Sequence, residues 1–129
     1  MDRNPDLFDQ NSSVGPGASN QKTGKNMVVH QVYFWLKNPN SAEDLDKLLA
    51  GLKSLEQIET VNQLFIGVPA VTGIRDVVDG SYSASELIFF DDLESHDIYQ
   101  VHPIHQQFIN DCGSLWSKVV VYDSLSSPA

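Results

Sequence analysis

The stretch "MVVHQVYFWLK" at 27–37 constrains the fold of this chain more than any other. Its β-branched and aromatic residues favour an extended strand. Successive strand side chains point to opposite faces, so Val28, His30, Val32, Phe34 and Leu36 share one face. Val29, Gln31, Tyr33 and Trp35 share the other, which is also mostly apolar. A strand apolar on both faces has to be covered on both.

The next segment of the chain supplies one cover. In "NPNSAEDLDKLLAGLKSL", Leu45, Leu48, Leu49, Leu52 and Leu55 fall at helical spacing and form one apolar stripe. Ser41 with Asp44 three residues on is a variant of the capping box, and Glu43 and Asp44 suit the positive end of the helix dipole. Gly51 is the weak point of that helix. "TVNQLFIGV" (60–68) reads as a second strand, 69–81 as a loop punctuated by Pro69, Gly73 and Gly80, and "YSASELIFF" (82–90) as a third strand. Asp91 and Asp92 open a helical stretch through Tyr99. His102-Pro103 breaks it, because proline disfavours helical geometry before it yet suits the first position of a new helix, here about Pro103 to Asp111. "SKVVVYDSL" (117–125) closes the pattern as a last strand.

The order β-α-β-β-α-β, with its second helix broken in two, predicts an α+β, ferredoxin-like sandwich. Its helices cover one face of the sheet only. A second subunit is the simplest cover for the other face, so a homodimer forming an α/β barrel is expected.

Residues 1–26 differ in kind. Asn, Ser, Gly, Gln and Pro dominate, and only Leu7, Phe8 and Val14 offer a large apolar side chain. Such a segment does not offset its ordering entropy and reads as a flexible N-terminal arm or leader. The domain is expected over 27–125, with a short tail at 126–129. The arm carries no apolar h-region of a signal peptide, and no run approaches a membrane span. The single cysteine, Cys112, excludes an intramolecular disulfide and fits a reducing compartment, with the cytoplasm as default.

Charge excludes one class of partner. The first 26 residues hold three acidic and three basic side chains, so the remaining 14 acidic and 5 basic residues carry the whole formal charge of −9. A domain this acidic repels phosphate backbones and lacks a basic stripe, so no nucleic acid is expected.

"YQVHPIHQQF" (99–108) raises the question of a site. One reading is structural: His102 caps the second half-helix, Pro103 starts it, and Tyr99 and Phe108 pack in the core. The other is chemical: His105, in the first helical turn, points toward the sheet as a neutral imidazole oriented by the Tyr99 hydroxyl and acts as a general base. His30, mid-strand on a buried face, is either a satisfied core histidine or converges with His105 on one pocket. A metal is not expected. His102 and His105 resemble half a site, but Pro103 separates their directions and no further Cys/His pair completes a set. Cys112 lacks a basic neighbour, no phosphate loop or dinucleotide motif is present, and Glu86 reads as a buried, solvated or paired acid.

"HQVYFWLK" in the opening strand, "GSYSASELIFFDDLESHDIYQVHPIHQQF" and the closing "VVVYD" together resemble the stress-responsive A/B barrel family, also called the dimeric α/β-barrel (Dabb) domain. The likeness covers about residues 27–124, and Tyr-x-x-His-Pro-x-His at 99–105 with His30 is its most specific part. It implies a ferredoxin-like protomer that pairs into a two-sheet barrel. Its best-understood enzymes, plant polyketide cyclases of the olivetolic acid cyclase type, close a linear poly-β-ketoacyl chain by aldol condensation without metal or organic cofactor. By that resemblance the general base falls on His105, its partner on Tyr99, and the strand-one histidine on His30. A third-strand histidine of those enzymes falls on Ala84, which argues against the same substrate.

Two functions remain open. One is a homodimer that binds a small apolar or carbonyl-containing ligand between sheet and helices, with His30, Phe34, His102 and Phe108 lining the site. The other is a cofactor-free cyclase with His105 and Tyr99 as its catalytic pair.

Overall fold

A computed structural model of the chain describes residues 26–126. The expectations for the N-terminal arm before that point and for the tail after it lie outside the described residues. The elements run β1 (Val28–Leu36), α1 (Ala42–Lys53), β2 (Gln63–Gly67), β3 (Ala84–Phe90), α2 (Leu93–Val101), α3 (Pro103–Cys112) and β4 (Trp116–Leu125). Single 3₁₀ turns at Ser54–Gln57 and Gly113–Leu115 tighten the ends of α1 and α3. The strands form one antiparallel sheet in the order β2-β3-β1-β4, with β1 in the centre. This is the expected ferredoxin-like arrangement.

Local chemistry places the helix ends. The Ser41 hydroxyl accepts from the Asp44 amide at 3.1 Å and starts α1. The Asp92 carboxylate accepts from the Ser95 amide at 2.8 Å, so α2 begins one residue beyond its cap and runs past Tyr99 to Val101. His102 is extended (φ −66°, ψ 140°), as a residue before proline prefers, and its Nδ1 accepts from the Ile104 amide at 3.1 Å to start α3 at Pro103. Two strands are shorter than their apolar runs suggest: β2 begins at Gln63 and β3 at Ala84. The segment between them has no regular element, and Gly73 adopts φ 109° there.

The two faces of β1 differ as the alternation requires. Val28, His30, Val32, Phe34 and Leu36 are all buried under the helices, whereas the intervening residues are half-buried. Leu48, Leu52, Leu55, Ile58, Ile88, Phe90, Tyr99 and Phe108 complete the core. The face away from the helices carries, by strand register, Val29, Tyr33, Trp35, Leu87, Phe89, Phe65, Val120 and Tyr122. Tyr33 packs edge-on against Tyr82 at 5.0 Å and Tyr122 at 6.2 Å, while Lys118 lies over the Trp35 ring at 4.5 Å. Phe65 remains 63% exposed, so no described element covers this aromatic face.

Gly51 has a packing reason. A Cβ there would lie 2.6 Å from Cys112 Sγ and 3.1 Å from Phe108, so the missing side chain lets α1 approach α3. No described helix is long and apolar enough to cross a membrane.

Candidate functional site

His105 occupies the third position of α3, a place fixed by the Pro103 start. Its Nδ1 lies 3.1 Å from the Gln100 carbonyl oxygen in the last turn of α2. A carbonyl oxygen only accepts, so Nδ1 carries the proton and Nε2 holds the lone pair. Nε2 has no hydrogen-bond partner among the described residues. Burial holds the pKa of His105 below the usual histidine value. The Gln100 contact opposes that shift, and the nearby His30 and His96 add to it. The ring is therefore a neutral base at pH 7.

Tyr99 is the residue beneath it. The two ring centroids are 4.6 Å apart at 47°, so the pair expected from the motif is in contact. The orientation is corrected, however. The Tyr99 hydroxyl donates to Glu86 Oε2 at 2.8 Å and leaves the Gln100 carbonyl to orient His105. Tyr99 is fully buried and reaches across to β3, where a desolvated carboxyl group is a stronger acceptor than a neutral imidazole. Glu86 is thus both buried and paired. Burial raises its pKa to about 7 against the opposing effect of the Tyr99 hydrogen bond. Burial also raises the pKa of Tyr99, and the neighbouring Glu86 raises it further.

The other residues singled out in the sequence do not gather around one cavity. His30 is buried, and its ring meets Tyr99 at 5.6 Å, Phe90 at 6.1 Å and His96 at 5.2 Å. Tyr99 is therefore in ring contact with both His30 and His105. The His30 Nδ1 bonds the Asp123 carboxylate at 2.5 Å. Burial lowers the His30 pKa, and Asp123 opposes that shift. Phe34 and Phe108 are buried together at 6.1 Å, with Phe108 also 6.4 Å from His105. Both His102 nitrogens are engaged: Nδ1 accepts from Ile104, and Nε2 lies 3.2 Å from Glu59.

Two open surfaces border this cluster. A groove of about 500 Å³ lies between α1 and α3, lined by residues that include Lys47, Gly51, Ile104, Phe108 and Cys112 but neither His105 nor Tyr99. The second is the helix-side face of β4. Asp123 is paired with His30, Val121 with Val32 and Val119 with Phe34, so they share the face of the buried β1 residues. Yet Val119, Val121 and Leu125 are 37%, 47% and 49% exposed, because the helices pack mainly over β2, β3 and the buried side chains of β1.

Two residues of the cluster were hidden in the sequence. His96 and Asp123 come together with His30 only through the fold, whereas spacing along the chain points to His102 with His105 as the half-site. Glu86 carried a usable signal: an acid on an apolar strand alternate needs a buried donor.

Known proteins share this architecture. The family model described as the stress responsive A/B barrel domain matches residues 28–126. A Dabb family protein with a ferredoxin-like fold from Mesorhizobium loti is 23% identical, with TM-score 0.66, covering 81% of this chain and all of that one. A hydroxynitrile lyase from Passiflora edulis is 18% identical, with TM-score 0.69, covering 82% of this chain and 98% of that one. A dimeric ferredoxin-like protein of unknown function from Thermobifida fusca is 15% identical, with TM-score 0.65, covering 83% and 97%. A search of curated proteins finds no match. With nearly all of its described residues matched by the family model and the expected sheet order in place, the chain belongs to the stress-responsive A/B barrel domain family.

Proposed function

We propose that this chain acts as a homodimer that binds a small apolar or carbonyl-containing molecule along the bare helix-side face of β4, which borders the His30–Tyr99–His105 cluster. The observation that carries this reading is the tautomer of His105. Its proton is held on Nδ1 by Gln100, and its Nε2 lone pair has no partner among the described residues. The exposed apolar strip of β4 adjoins the same cluster through the Asp123–His30 contact. Val119 and Val121 would receive the apolar part of the ligand, and a hydroxyl or enol would donate to Nε2. Phe34, Phe108 and His30 form the floor under Tyr99 and His105. His102, with both nitrogens engaged, holds the start of α3.

The dimer rests on the aromatic outer face of the sheet and on the loop after β2. Val71, Ile74 and Val77 stand almost fully in solvent there, an arrangement that a second copy would cover. The dimeric Thermobifida fusca neighbour supports it.

A catalytic reading rests on the same tautomer. His105 Nε2 would take a proton from a methylene flanked by two carbonyls. The resulting enolate carbon would attack a further carbonyl of the same chain, and the alkoxide so formed would take up the proton. This is the aldol-type cyclase chemistry that the family resemblance implies, with Tyr99 as the packing partner of the base. That a hydroxynitrile lyase shares the fold supports an enzyme of some kind on it.

The test is a thermal-shift screen of diketide, triketide and resorcinol-type ligands against wild type and His105→Ala. Stabilisation of the wild type that the variant loses supports ligand binding. Equal shifts in both, or none in either, would remove His105 from the site. Conversion of a linear tetraketide thioester to a ring product by wild type alone would establish the catalytic reading.

A further inference from the structure

His96 holds an unusual position. It lies on α2, with only 15% of its side chain exposed, and its Nδ1 meets the Asp97 carboxylate at 3.1 Å. The carboxylate accepts, so Nδ1 carries the proton and Nε2 the lone pair. That Nε2 is buried and has no hydrogen-bond partner. It faces Asp123 Oδ2 at 3.9 Å, too far for a hydrogen bond. A lone pair directed at a carboxylate oxygen across such a gap leaves two acceptors facing each other with no donor between them. On the far side, the other Asp123 oxygen is already held by His30 Nδ1 at 2.5 Å.

We propose that His30, His96 and Asp123 form a binding site for one divalent transition-metal cation of the zinc type. One ligand atom from each residue lies within 4.8 Å of the others. Around tetrahedral zinc, with bonds of about 2.0–2.1 Å, ligand atoms sit about 3.3 Å apart. The His30 and His96 contacts are to different oxygens of the Asp123 carboxylate, and the ligand atoms furthest apart would close by up to about 1.5 Å to reach that spacing. Two imidazoles and one carboxylate are a usual donor set for such an ion, and the fourth position would be left for water or a ligand. The supporting shell is also present: Asp97 orients His96 through its second nitrogen, which fixes the tautomer that presents Nε2. Binding through His30 Nδ1 would move that ring's proton from Nδ1 to Nε2. The site goes beyond the ligand reading and does not depend on it.

The experiment uses the full chain, stripped with chelator and dialysed, then titrated calorimetrically with zinc chloride. Cobalt chloride is the second probe, because its visible spectrum reports coordination geometry. Wild type is expected to bind one zinc per chain and to give an intense, tetrahedral-type cobalt spectrum. His96→Gln and Asp123→Asn should each weaken zinc at least about 10-fold. His102→Gln should leave it unchanged. Absence of stoichiometric binding by wild type, unchanged affinity in both ligand variants, or equal weakening in His102→Gln would overturn the site.

Discussion

The hydroxyl of Tyr99 donates to Glu86 Oε2 at 2.8 Å, joining α2 to β3 through two buried polar groups. The pair makes the interior pH-sensitive. Glu86 has its folded pKa raised to about 7, from 4.5 when exposed. Between those values the folded state binds a proton that the unfolded state has lost, so stability falls as pH rises through that window and levels off above it. Glu86→Gln keeps an acceptor for Tyr99 and removes the charge. Denaturant unfolding should then show the variant matching wild type near pH 4.5 and exceeding it at pH 8, by on the order of 3 kcal/mol at most.

Removing the donor has the opposite sign. Tyr99→Phe leaves the fold in place but strands Glu86 without its hydrogen bond, at a cost of about 1–3 kcal/mol. The loss should be smaller at low pH, where Glu86 is neutral, than at pH 8. A pH-independent cost would show that the ring, and not the hydroxyl, was the source.

Gly51 tests the α1–α3 contact. On helix propensity alone, Gly51→Ala would gain about 1 kcal/mol. The added methyl instead meets Cys112 Sγ at 2.6 Å and Phe108 at 3.1 Å. Overpacking of this kind costs about 1–3 kcal/mol, so a net loss is expected, and Cys112→Ala in the same chain should restore part of it. Thermal melts of the two variants and the double variant decide the matter.

The aromatic face of the sheet gives a fourth expectation. Trp35 lies on the side away from the helices, with its Nε1 donating to Ser81 Oγ at 3.0 Å. Trp35→Glu puts a charge into the face that a second copy would cover, and should convert a dimer to a monomer in light scattering. A wild type that is already monomeric at micromolar concentration would contradict the dimer.

Much of the fold was legible because it is written in local chemistry. The double alternation of β1, the Ser41 cap and the His102-Pro103 break each depend on neighbours in sequence, and each stands where expected. The strand ends at Gln63 and Ala84 were not legible, since pairing with a neighbour decides where a ladder begins. The site was half legible. The Tyr99–His105 contact comes from their spacing on two abutting helices, but the group that orients His105 is a backbone carbonyl, which no side-chain pattern announces. His30 and Asp123 are 93 residues apart and meet only through the β1–β4 register.

Everything proposed for His105 rests on its being neutral with the proton on Nδ1. Burial holds its pKa below 6.5, so its charged form is disfavoured in the folded state. Its contribution to stability is therefore present above pH 6.5 and is lost as pH falls through the folded pKa. A long-range ¹H–¹⁵N NMR titration of the histidine rings reads both quantities at once, with His105→Gln assigning the signal. The expected result is a His105 that titrates below 6.5 and shows an Nδ1–H, unprotonated Nε2 pattern at pH 7. A His105 that titrates above 7, or carries its proton on Nε2, would contradict the base assigned to it.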